Sequence, residues 1–331
     1  MNYKTKLRFA PLALAMLLLL FSLGCALPSP VPLEDGSVVQ TEPTYDNTTQ
    51  NQTYLIDMID MAGNPVQMNS YAGSIVVLDP GDCEILCAIG AEEQIIGRSE
   101  DCDYPESVAS LPVVTTEGMA NTEQILTLNP QAVIMDAEAA TDTSLIAELK
   151  EANITPIVTN VTDIKGLYTA ITLLGTVTDR VAESGSVVAN LLAAFAGIQA
   201  KVTDNTSKTI YFELAPLATG LETAGSGTLI NDIALLLGYH NEFEDMEGFI
   251  PVTAAQVIGR SPDVIVTTIP SSEDGTAGVN EILARVGWES VQAIADKKVF
   301  YIDGELLSRP GPRLLDVVNA LYTLLYETPA E

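Results

Sequence analysis

Histidine occurs once in these 331 residues, at His240, tryptophan once, at Trp288, and cysteine four times. A Ser–His or Cys–His nucleophile pair would have to rest on His240 alone, which sits in the turn-like context Gly238-Tyr239-His240-Asn241 and reads as a loop residue. A bare zinc or manganese site would gather several His and carboxylate ligands, so the same scarcity argues against one. No GxSxG, P-loop or GxGxxG motif is present, and Gly225-Ser226-Gly227 reads as the turn before a helix. The chain is therefore not read as an enzyme. Basic residues are scarce as well: 15 Lys and Arg stand against 44 Asp and Glu, a formal net charge of −29. Such a surface repels phosphate backbones and anionic headgroups, which argues against nucleic acid and against direct binding to a membrane surface.

Three of those basic residues, Lys4, Lys6 and Arg8, precede the apolar run Phe9 to Leu23, which ends at Gly24-Cys25. The pattern is that of a secretory signal over residues 1–24, too short for a comfortable membrane span. Ser22-Leu23-Gly24-Cys25 resembles a bacterial lipobox with Leu and Ser exchanged, so Cys25 is the expected site of lipid attachment, including palmitate. Residues 25–53 are rich in Pro, Thr, Asn, Gln and Ser, without apolar periodicity, and read as a tether. Membrane contact is then expected through the lipid anchor alone. Three cysteines remain beyond it, Cys83, Cys87 and Cys102. They are expected as free core thiols, or with one disulfide between Cys83 and Cys102 near the rim of a cleft.

From residue 54 onward, helices and strands alternate at the spacing of parallel sheets. Residues 54–162 form one α/β lobe, 163–203 a nearly continuous helical connection with Gly175 and the Thr176 to Asp179 turn as the place for a break, and 204–331 a second lobe. The stretch Val76 to Pro105 reads as strand, helix, strand and polar turn, with Asp82 as a helix cap and Gly90 as a helix stop. Glu123 to Met135 aligns without gaps on Ala255 to Thr267, each a capped helix, a Pro-containing turn and a buried strand. Two similar lobes with a cleft between them follow. Ligands of open α/β sheets sit beyond the carboxyl ends of strands. Candidate contacts there are Asp82, Asp103 and Tyr104 in the first lobe, and Glu213, Glu305, Arg309 and Arg313 in the second.

The motifs DMAGNPV (Asp60 to Val66), Leu78-Asp79-Pro80 through Gly90, Cys102-Asp103-Tyr104-Pro105, Asn121-Thr122-Glu123, Gly287-Trp288-Glu289, Val299 to Asp303 and Ser308 to Arg313 resemble the iron-siderophore and cobalamin family of ABC-transporter substrate-binding lipoproteins. The resemblance runs from Tyr54 to the end. It implies the class III architecture, two Rossmann-like lobes with parallel sheets joined by a long helix, with limited hinge motion and a ligand between the lobes. It implies a monomer without an intrinsic cofactor that carries a small-molecule metal chelate to an ABC permease dimer with its ATPase. Glu123 matches the family's first-lobe docking carboxylate, whereas the internal alignment puts Ala255 at the second, where Glu244, Asp245 or Glu247 would have to substitute. The Cys-Asp-Tyr-Pro turn looks most like the corrinoid-binding branch, and few basic residues are at hand for an anionic chelate. A cobalt corrinoid is thus expected first and a ferric siderophore second. Haem would need an axial Tyr, from Tyr104 or Tyr211. A chelatase-like metal-cluster protein on the same architecture is the alternative of another class.

Overall fold

The computed structural model describes residues 54–202, 207–270, 272 and 275–327. The expected signal, Cys25 and the tether lie outside the described residues. Strands β1 (Ile56–Ile59) and β2 (Pro65–Met68) form the opening antiparallel hairpin, with Ile56 opposite Met68. The first lobe continues with β3 (Ile75–Val77), α1 (Pro80–Ala88), β4 (Ile95–Arg98), the short hairpin β5 (Thr115–Thr116) and β6 (Met119–Ala120), α2 (Thr122–Leu128), β7 (Ala132–Met135), α3 (Thr143–Glu151) and β8 (Thr155–Val158). Its parallel sheet has the order β4-β3-β7-β8. The continuous apolar character of β3 and β7 follows from burial on both faces of that sheet.

The connection breaks at the Thr176 to Asp179 turn, as the sequence reads, where the resemblance implies a single long helix. It consists of α4 (Ile164–Val177) and α5 (Val181–Gln199), interrupted where Asp179 takes the left-handed conformation, φ 59°. The Thr178 hydroxyl donates back to Leu174 O at 2.7 Å, and the two helices pack on each other. Helix α4 also packs on α1 of the first lobe, and α5 on the second lobe. One apolar core therefore runs through both lobes, from Ile75 and Leu86 by way of Leu174 and Phe195 to Phe212 and Val317. A continuous close-packed core resists hinge bending, because opening the lobes would expose it.

The second lobe comprises β9 (Thr209–Glu213), β10 (Leu221–Ala224), α6 (Leu229–Leu236), β11 (His240–Asn241), β12 (Phe249–Val252), α7 (Ala254–Arg260), β13 (Val264–Thr267), α8 (Thr276–Leu283), α9 (Gln292–Ala295), β14 (Val299–Tyr301), α10 (Gly304–Ser308) and α11 (Leu314–Tyr322). Its parallel sheet, β11-β9-β13-β14, reproduces the strand order of the first. The glycine-rich stretch Gly220 to Gly227 contains β10, paired antiparallel with β12, and His240, read as a loop residue, lies in an edge strand. The internal repeat holds residue for residue. Asn121 and Thr253 both cap with their side chains, Asn129 and Ser261 both end their helices in the left-handed region, and β7 and β13 follow at the same offset.

Candidate functional site

The site is built first from the loop that follows β4. Arg98 is buried, and its guanidinium donates to the carbonyls of Ser99 (2.9 Å), Glu100 (3.2 Å) and Ala109 (2.7 Å). A buried cation with three carbonyl acceptors gathers the loop and presents Cys102-Asp103-Tyr104-Pro105, with a cis Tyr104–Pro105 peptide, towards the other lobe.

There the two lobes meet through two charge pairs. Arg309, from the end of α10, donates to Asp103 Oδ1 at 2.5 Å and to Glu305 Oε2 at 3.2 Å. Arg313, just before α11, donates to Glu84 Oε1 at 3.2 Å, and its guanidinium carbon lies 4.1 Å from the centre of the Tyr104 ring. The partner of Arg313 is thus Glu84, from α1. Glu84 is buried and its Oε2 has no hydrogen-bond partner. Burial raises its pKa, and Arg313 opposes that shift. The backbone approach at this seam depends on glycine. A Cβ on Gly81 would lie 3.0 Å from Pro310 O, and one on Gly311 2.9 Å from Glu84 Oε2.

Behind these pairs lies a group of acids at the strand ends. Asp79 follows β3 and Asp136 follows β7, the two neighbouring strands at which the order of the sheet reverses. The helix cap of α1 is Asp79, whose Oδ1 accepts from Asp82 N at 2.8 Å, with Pro80 in the first turn. Asp82, expected as the cap, sits three residues further on and is buried, accepting from Thr159 Oγ1 at 2.6 Å. Burial pushes Asp79 up to about 6 and Asp82 well above the usual carboxylate range, each raised further by a neighbouring acid. Asp103, mostly exposed, is held below the usual range by its hydrogen bond from Arg309. Asp136 and Thr159 are not singled out from the sequence, and Asp79 only as part of the Leu78-Asp79-Pro80 motif. The available signal was an acid directly after a fully apolar strand, in VVLDP and AVIMDA.

Several expected contacts lie elsewhere. Glu213 is not a cleft residue: both its oxygens accept from Arg285, each at 2.7 Å, and its side chain is 1% exposed. Strand β9 carries it into the interior, where Arg285 is also bound by Glu281 and stacks on Trp288, 4.7 Å from the ring centre. Trp288 is consequently buried in a second-lobe core. Tyr211 is fully buried, and burial drives its hydroxyl far up. Cys83, Cys87 and Cys102 are free thiols, and Cys83 and Cys102 lie in the core rather than at a rim. Among the described residues, no group of three or more His, Cys, Asp or Glu is arranged to hold a metal ion.

Glu123 stands exposed in the first turn of α2, beside a surface cavity of about 500 Å³. At the equivalent end of α7, Ala255 has no charge. Glu244 faces His240 Nδ1 at 3.2 Å, and Asp245 is held by two hydrogen bonds from Arg260, each at 2.8 Å. Glu247 is exposed, in neither of those pairs.

The family model described as periplasmic binding protein matches residues 75–306. The Bacillus subtilis (strain 168) protein named uncharacterized ABC transporter substrate-binding lipoprotein YvrC is 24% identical over 282 residues, 84% of this chain and 87% of that protein. The vitamin B12-binding protein of Vibrio cholerae (strain M66-2) is 25% identical, over 77% of this chain and 89% of its own. Among solved structures, the periplasmic heme-binding protein HutB of Vibrio cholerae superposes with a TM-score of 0.69 at 26% identity, covering 76% of this chain and 98% of that one. The vitamin B12-binding protein BtuF of the same species gives 0.65 at 24%, covering 77% and 96%. Two pseudo-equivalent parallel α/β lobes with a helical connection, matched over most of the body by the family model, show that this chain belongs to the periplasmic binding protein family.

Proposed function

We propose that this chain is the extracytoplasmic, lipid-anchored receptor of an ABC importer, and that it captures a bulky metal chelate that is neutral or cationic, a corrinoid first. The observation that carries the ligand class is the charge of the seam. Arg309 and Arg313 are each already paired with an acid, Asp103 and Glu84, so neither is open to an anionic chelate. An anionic ferric chelate would have to displace those carboxylates from the two arginines. A neutral or cationic corrinoid meets no such penalty. The vitamin B12-binding relatives support the same reading.

Tyr104, half-exposed and already stacked under a guanidinium, offers its ring to a flat macrocycle. Tyr104→Ala is expected to weaken corrinoid binding by about tenfold or more, in line with the loss of an aromatic anchor. The direct test is calorimetric titration of the protein with cyanocobalamin, ferric hydroxamate and catecholate siderophores, and hemin. Trp288 is buried away from the seam, so its fluorescence is a poor reporter. Saturable binding confined to anionic ferric catecholates would overturn the ligand class, and no binding to any of them would overturn the receptor reading. The likeness to HutB favours haem as the second reading. With Tyr211 buried, Tyr104 is then the axial candidate, and a Soret shift lost in Tyr104→Ala would identify it.

Delivery to the permease would use Glu123 on the first lobe and Glu247 in place of a carboxylate at Ala255. Glu123→Arg is expected to abolish ligand-stimulated ATPase activity of the reconstituted transporter with ligand affinity intact. Unchanged stimulation would exclude this docking role.

A further inference from the structure

A short ladder of hydrogen bonds joins the loop that carries Tyr104 to the start of the helix that carries Glu123. Its first half lies in the loop. Arg98 donates from its side chain to the carbonyls of Ser99, Glu100 and Ala109, and Cys102 N donates to Ser99 O at 3.3 Å. Residues 98–102 are thereby one compact turn directly before Asp103. The second half is the hairpin of β5 and β6. Glu117 and Gly118 both take positive φ, 52° and 76°, in the two-residue turn that closes it. Strand β6 leads straight to Asn121, whose N–H donates to Val114 O at 2.8 Å and whose side chain accepts from Gln124 N to cap α2. Glu123 follows in the first turn of that helix.

The two halves meet at Glu100. Its N–H donates to Thr115 Oγ1 at 2.9 Å, and its Oε1 accepts from Gly118 N at 2.7 Å. One exposed residue therefore holds both the first strand of the hairpin and its turn. The neighbouring backbone continues the attachment, with Arg98 N donating to Pro112 O at 2.9 Å and Val114 N to Arg98 O at 2.8 Å.

Given the docking role proposed above for Glu123, we infer that Glu100 is a positioning residue through which occupation of the seam is reported to the docking surface. A ligand that engages Asp103 or Arg309 competes with the pair between them, which is the hold of this loop on the second lobe. The pair is made in one state and broken in the other, and that is the two-state element the report needs. When the turn shifts, Glu100 shifts with it, because Arg98 binds the carbonyls of Ser99 and Glu100 together. The hairpin turn follows the Glu100 carboxylate, and β6 passes the shift to the cap of α2. A charge-assisted bond to a backbone N–H is strong enough to hold a two-residue turn, and at the surface it is readily remade.

Amide hydrogen exchange of the full-length chain, without ligand, tests the tie. Glu100→Ala is expected to speed exchange at the Gly118 N–H by about tenfold or more, since a charged acceptor is lost. Glu100→Gln keeps an oxygen acceptor and should restore most of the protection. Asp103→Ala releases the loop from Arg309 and is expected to speed the same amide about threefold, yet to add nothing in the Glu100→Ala background. An unchanged Gly118 amide in Asp103→Ala, or an equal acceleration in both backgrounds, would overturn the proposal. Neither ligand nor transporter enters this experiment, so its failure is distinct from failure of the receptor reading. On the reconstituted transporter, with cyanocobalamin as the probe, Glu100→Ala should lower ligand stimulation of the ATPase about threefold or more with affinity intact, and Glu100→Gln should keep it. Full stimulation in Glu100→Ala would overturn the reporting role. Cyanocobalamin that fails to bind the unaltered chain would instead count against the corrinoid reading, and the exchange result would still decide the role of Glu100.

Discussion

Arg285→Ala is expected to cost about 3–5 kcal/mol of folding stability, the largest single effect anticipated for this chain. The substitution leaves the Glu213 carboxylate buried with both oxygens stripped of their partners. Glu213 would then either keep an uncompensated charge in the core or take up a proton, and both routes destabilise. Packing is lost too, since the guanidinium covers the Trp288 ring. Urea denaturation measures the loss directly. The paired substitution Glu213→Leu with Arg285→Met is expected to recover most of it, because two apolar side chains remove the desolvation cost of both charges. That double variant should also bind ligand as the unaltered chain does, since neither residue reaches the seam. A loss below about 1 kcal/mol for Arg285→Ala would show that the pair is not buried as described.

Stability is expected to fall as pH rises from about 4 to 6, by up to about 3 kcal/mol from Asp79 alone. Burial raises its carboxyl from 3.8 to about 6, so the folded protein binds its proton more tightly than the unfolded chain does. The contribution is fully present below the unfolded value and is lost as pH passes through the folded one. Asp82, raised in the same direction, adds to the effect. Asp103 works the other way, because its lowered value makes the native pair weaken only under more acid conditions. Asp79→Asn keeps an oxygen to accept from Asp82 N and cap α1 while removing the charge. Urea midpoints between pH 4 and 7.5 should therefore show a flatter profile for Asp79→Asn and greater stability near pH 7. A wild-type midpoint that climbs across this window would contradict the burial of Asp79. The same proton connects to function: a cationic ligand near Asp79 would favour the carboxylate, so its binding should release protons.

Much of the fold is legible in local pattern. Apolar runs such as Ala132 to Met135 and Val264 to Thr267 mark strands buried on both faces, and the caps Asn121 and Thr253 mark helix starts, because each depends on neighbours within a few residues. The break between α4 and α5 is legible as well, in Gly175 and the Thr176 to Asp179 turn, where one left-handed residue turns the chain. The strand β10 was hidden among glycines because its character comes from β12, far along the chain.

The candidate site divides in the same way. Asp103, Tyr104, Arg309 and Arg313 were identified by motif and by position beyond strand ends, and the structure brings them to one seam. Which acid meets which arginine was beyond the reach of pattern: Asp103 and Arg309 are 206 residues apart, Glu84 and Arg313 229, Glu213 and Arg285 72. A charged side chain reads the same in sequence whether it faces a ligand or a partner. Desolvation and the nearest opposite charge decide its role, and both are set by the packing of one lobe on the other. The sequence by itself determined the two-lobed α/β architecture, the internal repeat and the loop that carries Tyr104, because these rest on periodicity, caps and motifs. The tertiary structure alone decided that Glu213 is sealed inside, that Arg313 meets Glu84, and that Cys83 and Cys102 are buried as free thiols, because each depends on which groups close packing brings together.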